Sequence, residues 1–416
     1  MAKQFDIPFD AMTAEHLAAQ FGTPLYLYDE GGIRKTAREL TKAFAWAKNY
    51  KNYFAVKATP TPAILSIVLE MGMGLDCSSR MELLMAQRLQ VSGENIFYTS
   101  NNTPKEDFEL AIQLNVTVNI DDLTQVPVFV GALQGKRLRR AAVRYNPGGL
   151  KHGNSIIGEP VEAKYGMRLD QLAEAFTLLK RQDITEFGLH TMVASNELDH
   201  EYFGETAQVL LQAVDRVEHE TGLHMSFINL GGGFGVNYKP HQRPFDVQAA
   251  AAAVREVLVK NGREDLHIHT ENGRYVTGPH GYLLSRVRYV MQKHKTYVGL
   301  DASMHNLMRP GMYGAYHHLT VLGKESHVHT GTYDVVGSLC ENNDKFAIDR
   351  KLPTVKPGDY VVIHDSGAHG HAMGNNYNGL LRSPEVILRE DGSTQLIRRG
   401  ETAEDYFKNM VWPVVP

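Results

Sequence analysis

Short runs in which nearly every position is apolar recur along the first two-thirds of the chain, at 53–56, 74–77, 95–99, 116–120, 141–145, 184–190, 226–230 and 266–270. Between most of them the apolar positions fall three and four apart, at 62–69, 80–89, 104–114, 169–179, 201–217 and 247–258. The first pattern suits strands buried on both faces, and the second suits helices with one apolar face. Eight strands alternating with helices predict an α/β architecture, a closed TIM-like (β/α)8 barrel rather than an open sheet. One connection, 146–168, is longer and carries Gly148, Gly149, Gly153 and Gly158, and loops of that length usually belong to a site. Beyond Glu271 the pattern changes. The runs 282–289, 297–300, 318–322, 333–338, 360–364, 385–388 and 394–397 are short, β-branched or aromatic, and separated by turn residues. They predict an all-β C-terminal domain, which the early run 24–28 joins. The expected division is a barrel over 31–275 and a β-rich domain over 1–30 and 276–416.

In such a barrel the chemistry sits at the C-terminal ends of the strands. After strand one comes Lys57, after strand two Asp76, and after strand six Ser195 and Asn196. Strand seven is followed by Gly231-Gly232-Gly233-Phe234-Gly235, and strand eight by Glu271, Gly273 and Arg274. Lys57 has two readings. It either snorkels to water where its strand ends, or is partly desolvated at the barrel mouth and serves as an amine nucleophile. The glycine run lacks the dinucleotide-binding spacing, which fails at Val236. It is either a tight turn or a nest of backbone N–H groups for a phosphate, and Arg274 nearby favours the second. A barrel lysine with a phosphate cradle implies pyridoxal 5'-phosphate, whose aldehyde needs the amine and whose phosphate needs the nest. Glu271 then gains a role, keeping the pyridine nitrogen protonated. His364, His369 and His371 cluster, and His267 and His269 share a strand, but no carboxylate completes a familiar zinc spacing, so no metal is expected.

Composition narrows the partners. The 416 residues carry a formal net charge of -4 without a dense Lys/Arg stripe, which argues against nucleic acid and anionic membrane. The beginning of the chain has no apolar signal core, and the longest apolar stretch is too short to span a bilayer. The two cysteines, Cys77 and Cys340, fit a reducing cytoplasm. The expectation is a cytoplasmic protein acting on a small molecule.

Longer motifs carry a resemblance. They are FAVKA at 54–58, GLDCSSRMEL at 74–83, RYNPG at 144–148, KYGM at 164–167, NLGGGFG at 229–235 and ENGR at 271–274. The second half adds DASMHNLMRPGMYGAYH at 301–317, SLCENND at 338–344 and SGAHGHAMGNNYNG at 366–379. In this order the chain resembles the fold-type III pyridoxal-phosphate amino-acid decarboxylases, most closely the diaminopimelate decarboxylases. The resemblance implies the alanine racemase-like arrangement of barrel plus β domain. By position it makes Lys57 the Schiff-base lysine and Glu271 the partner of the pyridine nitrogen. Gly231, Gly232, Gly233, Ser195 and Arg274 would serve the phosphate, with Asp76, Met192 and His369 also at the cofactor. Arg274, Arg309, Tyr313, Glu341 and His369 would meet substrate, an amino acid, and Cys340 would be the catalytic cysteine that donates a proton. The resemblance further implies a homodimer, because the Cys340-Glu341 pair would reach the neighbouring subunit's site.

Three positions depart from the family pattern. Met192 stands where a cofactor-stacking histidine is usual, Asn272 where a proline follows the glutamate, and His369 where a tyrosine touches cofactor and substrate. The implied reaction is decarboxylation of meso-diaminopimelate to L-lysine. Arg309 supports a second substrate carboxylate, since beside a simple diamine it would be a poorly compensated cation. The departures keep open a decarboxylase of ornithine, lysine or a carrier-bound amino acid. A racemase is disfavoured by Glu271, because related racemases place an arginine at the ring nitrogen. A catalytically silent homologue is disfavoured by retention of Lys57, Cys340 and Glu341.

Overall fold

The computed structural model describes residues 3, 5–153 and 156–413. Residues 154 and 155 of the long glycine-bearing connection, and 1, 2, 4 and 414–416 at the ends of the expected β-rich segments, lie outside the described residues. Contacts divide the chain into two compact units. One is Arg34–Asn237 with Arg243–Val276, and the other, over its described residues, is Met1–Ile33 with Tyr238–Gln242 and Thr277–Pro416.

The first unit is a closed barrel of eight parallel strands, Lys51–Ala55, Gly74–Cys77, Ile96–Ser100, Thr117–Ile120, Leu138–Arg144, Ile184–His190, Met225–Asn229 and His267–Thr270. Strand one closes on strand eight by pairing Lys51 with His269. Each strand matches an apolar run of the sequence to within a few residues, because a strand covered by helices on the outside and side chains within has no polar face to interrupt the run. Helices start where a side chain satisfies a free N–H: Ser79 accepts from Glu82 N at 3.3 Å, and Asp246 from Ala249 N at 2.9 Å. The helices Glu30–Ala43 and Gln125–Leu133 have no counterpart in the predicted set, and the second runs against its own composition. Its sequence QVPVFVGAL mixes Pro, Gly and β-branched residues that read poorly as helix. The need to return to the start of the next parallel strand overrides that propensity.

Inside the barrel Tyr53, Phe97, Ala142 and Phe227 form a buried layer. Phe227 lies against Gly188 so closely that a Cβ there would stand 2.2 Å from the ring. Gly188→Ala should therefore displace Phe227 and lower stability by about 1 to 3 kcal/mol. Urea unfolding of the variant with an unchanged m-value measures it, and a loss below ~0.5 kcal/mol would mean the ring relocates freely.

The second unit is built on a nine-stranded mixed sheet. Leu25–Asp29 enters it, antiparallel to Gly281–Gln292 and parallel to Glu385–Leu388, as the early apolar run predicts. Leu25, Leu27, Leu284, Val362 and Val386 pack with Ala14 and Leu17 of the helix Ala11–Phe21 into one core. The strand Lys345–Leu352 was not legible, because DRK interrupts its apolar positions; among the described residues it pairs only with Gly331–Val336, at an end of the sheet, where charge is tolerated. A five-residue helix, Arg309–Tyr313, interrupts the expected all-β stretch. Among the described residues no helix is long and apolar enough to cross a membrane, and no group of three or more His, Cys, Asp or Glu could hold a metal ion.

Candidate active site

Strand one ends at Ala55, one residue earlier than the apolar run suggests, and Lys57 lies in the single turn Val56–Ala58 that follows. Pro60 and Pro62 fix the break: Pro62 is the first residue of the helix Pro62–Glu70, and the residues before the prolines are held extended or in turns. The Lys57 side chain is exposed, as the first of its two readings has it, rather than partly desolvated. It nevertheless borders a cavity of roughly 280 Å³ that is also lined by Asp76, Arg144, His190, Met192 and Glu271. Asp76 is not beyond its strand but inside it, 2% exposed, with Oδ1 buried and lacking a hydrogen-bond partner.

The two carboxylates differ in charge for stated reasons. Burial raises the Glu271 carboxyl, but the charge and hydrogen bond of His190, with Lys57 and Arg144, outweigh it and hold the group below its ordinary value. His190 Nε2 lies 3.2 Å from Oε2, and Asn229 Nδ2 donates to Oε1 at 2.8 Å. Burial and then repulsion from Glu271 push Asp76 well above the carboxylate range, with Lys57 and Arg144 only partly offsetting them. The two acids are thus pushed in opposite directions, Glu271 toward the carboxylate and Asp76 toward the protonated acid, as expected of two close acids in a poorly solvated space. Arg144 is fixed by Asp121 at 3.1 Å and Asn101 at 3.3 Å, with its guanidinium over the Tyr165 ring.

The glycine run is a turn packed hard against the rim. Gly231 has φ +68° and Gly233 φ +110°, and a Cβ on Gly231 or Gly232 would stand 2.4 Å from Thr191 O or 2.6 Å from Glu271 O. Only glycine lets the backbone approach so closely. Gly231 N–H donates to Asn229 Oδ1 at 2.9 Å, and Gly232 N–H points to the Met192 thioether at 3.2 Å. Asn272 Oδ1 accepts from Phe234 N at 3.1 Å, so the residue in place of proline braces the turn. Glu197 N bonds Gly233 O at 2.8 Å and ties the segment carrying Ser195 to the same turn, and Arg274 opens the short helix after Glu271.

The barrel unit therefore brings Lys57, Asp76, Met192 and Glu271 around one cavity, with Gly231, Gly232, Gly233, Ser195 and Arg274 on the segments beside it. Arg309, Tyr313, Cys340, Glu341 and His369 belong to the sheet unit. There Arg309 is 4% exposed, stacked on Tyr238 with 4.8 Å to the ring centroid and donating to His317 Nε2 at 3.0 Å. Tyr313 and Cys340 are exposed. Glu341 Oε1 accepts from Asn343 N at 3.0 Å, and His369 sits in a turn with φ +54°. Sequence reasoning missed Arg144, His190 and Asn229 as site residues. The signal was present, since each is the last residue of a barrel strand, the position that singled out the other rim residues.

An exposed amine, a buried carboxyl held toward its ionised form, a second held toward its protonated form and a glycine turn fit a cofactor that combines an aldehyde, a ring nitrogen and a phosphate; the buried Asp76 Oδ1 without a partner is the kind of atom a ligand completes. Residues 30–278 match the family model for "Pyridoxal-dependent decarboxylase, pyridoxal binding domain". The chain is 40% identical to Protein TabA of Pseudomonas amygdali pv. tabaci, over 96% of this chain and 94% of that protein. It is 32% identical to the diaminopimelate decarboxylase of Methanothermobacter thermautotrophicus, again over 96% and 94%. Among solved structures, diaminopimelate decarboxylase from M. jannaschii in complex with L-lysine superposes with a TM-score of 0.89 at 29% identity, covering 96% of this chain and 95% of that one.

Proposed function

The chain belongs to the pyridoxal-dependent decarboxylase family, and on that premise we propose that its reaction is the decarboxylation of meso-diaminopimelate to L-lysine. Its cofactor is pyridoxal 5'-phosphate and its reaction class that of the carboxy-lyases. The cofactor supplies an aldehyde that joins the substrate amine and a cationic ring that takes up the electron pair when carbon dioxide departs. Lys57 is the amine that would hold it covalently, and its exposed place on the turn Val56–Ala58 leaves it accessible. Glu271, ionised and gripped at both oxygens, accepts the hydrogen bond of the ring N–H. Gly231 to Gly233, Ser195 and Arg274 would hold the phosphate, Met192 would lie beside the ring, and Asp76 and His369 would complete the cofactor's surroundings. Arg274, Arg309, Tyr313, Glu341 and His369 receive the substrate, and Cys340 protonates its α-carbon.

The observation that carries the substrate reading is Arg309. Its guanidinium is buried and fixed by the Tyr238 ring and His317, a preorganised fork suited to a second carboxylate. A panel of amino acids assayed for carbon dioxide should give the highest kcat/KM with meso-diaminopimelate. Arg309→Lys should lower that value by about 2 to 4 kcal/mol in transition-state terms and leave lysine and ornithine, which lack the distal carboxylate, nearly unchanged. Equal loss on all three, or a wild-type preference for a simple diamino acid, contradicts the assignment. A second reading, a different amino acid as substrate, is favoured by the higher identity to Protein TabA and by Met192, Asn272 and His369 at the cofactor. The same panel decides between them.

We also propose a homodimer with shared sites. Lys57→Ala and Cys340→Ala proteins, each inactive alone, should regain up to about a quarter of wild-type activity when mixed, because half of randomly paired dimers carry one intact site. Exchange of subunits without recovery refutes sharing.

A further inference from the structure

A hydrogen-bond chain crosses the barrel interior behind Glu271. His190 ends strand six; its Nε2 is 3.2 Å from Glu271 Oε2, and its Nδ1 is 3.0 Å from Asn119 Nδ2 in strand four. Asn119 Nδ2 also donates to Thr99 Oγ1 of strand three at 3.1 Å. His190 and Asn119 are 1% and 2% exposed, so water does not compete for these groups. The Asn119 side chain at Nδ1 fixes the ring so that Nε2 faces Glu271 and donates its N–H to Oε2. Asn229 supplies the other donor, to Oε1. A carboxyl with a donor at each oxygen is fixed as the carboxylate and held in one orientation, because its own O–H would meet a donor instead of an acceptor.

We propose that His190, its ring orientation set by Asn119 and Thr99, is a positioning residue that keeps Glu271 aimed as an ionised acceptor, and thereby sets the protonation of the cofactor's ring nitrogen. The inference rests on the reading of Glu271 as the partner of that nitrogen. His190 acts through Glu271, so its removal affects a cofactor with a ring nitrogen more than one without. Asn119 acts through His190, so its removal has the same signature at smaller amplitude.

The experiment compares pyridoxal 5'-phosphate with its 1-deaza analogue, in which C–H replaces the ring nitrogen. Each is titrated into wild-type, His190→Phe, His190→Gln and Asn119→Leu proteins stripped of cofactor. His190→Phe should weaken the natural cofactor about tenfold and Asn119→Leu about threefold, while the analogue changes less than about twofold. His190→Gln, which keeps an N–H donor, should recover most of the loss. In holoenzyme made with ring-15N cofactor, the ring resonance should move toward unprotonated pyridine in His190→Phe. Equal weakening of both cofactors would mean that His190 merely packs on the ring, and an unmoved resonance would mean that Glu271 needs no help; either overturns the proposal. The ratio of the two affinities is internal to each protein, so even a partly destabilised variant separates these outcomes. A wild-type protein that forms no borohydride-stable link to pyridoxal 5'-phosphate overturns the underlying reading of the site, a result distinct from the others.

Discussion

Lys57→Ala should abolish carbon dioxide release and remove the covalent cofactor link while leaving the fold intact. The side chain is exposed on a single turn, so its truncation leaves neither a cavity nor an unpaired buried group. On the proposed role of Lys57, loss of the amine would remove the group that carries the cofactor aldehyde and exchanges it for substrate, and the expected fall in kcat is at least about 10⁴-fold, the scale seen when a nucleophile is deleted. The other components of the site remain: Glu271, Arg144 and the glycine turn are held by His190, Asn229 and Asp121. Cofactor should therefore still bind, reversibly. The measurement is mass spectrometry after borohydride reduction, which should place the adduct on Lys57 in wild type and show none in the variant. An adduct on another lysine would move the site elsewhere.

Glu271→Gln should reduce kcat by about 10² to 10⁴-fold, equivalent to roughly 3 to 5 kcal/mol, the usual consequence of breaking a buried charge interaction. Glutamine is nearly the same shape but carries one acceptor oxygen and one NH2 group. His190 Nε2 and Asn229 Nδ2 both address this position, so one of them must face a donor. On the proposed role of Glu271, the neutral side chain would also no longer stabilise a protonated ring nitrogen. Because the Lys57 link is separate, the variant should retain full cofactor content by the borohydride assay, which separates a catalytic effect from loss of cofactor. A kcat within about fivefold of wild type would show that the ring nitrogen is served by another group.

The eight barrel strands were legible because a strand buried on both faces must be apolar at almost every position, and the sheet unit because its strands are short and bounded by turns. Lys57, Glu271 and the glycine turn were legible because the rim of such a barrel is reached just after each strand, where a polar residue breaks the apolar run. Arg144 and His190 obey the same rule and were passed over because each lies within its run's length, and their meaning appears only when neighbouring strands bring Asp121 and Glu271 to them.

The sequence by itself determined the alternation of elements, the family motifs and the residue types that a pyridoxal site requires, since periodicity and chemistry are both local properties of the chain. Tertiary structure alone decided in which direction each of the two carboxyls is shifted. Asp76 and Glu271 are both acids at barrel strand ends in the sequence, and only the placement of His190 and Asn229 against one, and of an unpartnered buried oxygen on the other, separates them. It likewise decided that Met192 faces the glycine turn, that Asn272 braces it, and that the helix Gln125–Leu133 exists against its own propensity. The physical reason is the same in each case: desolvation, hydrogen-bond partnership and chain return depend on neighbours distant in sequence, and no local pattern encodes them.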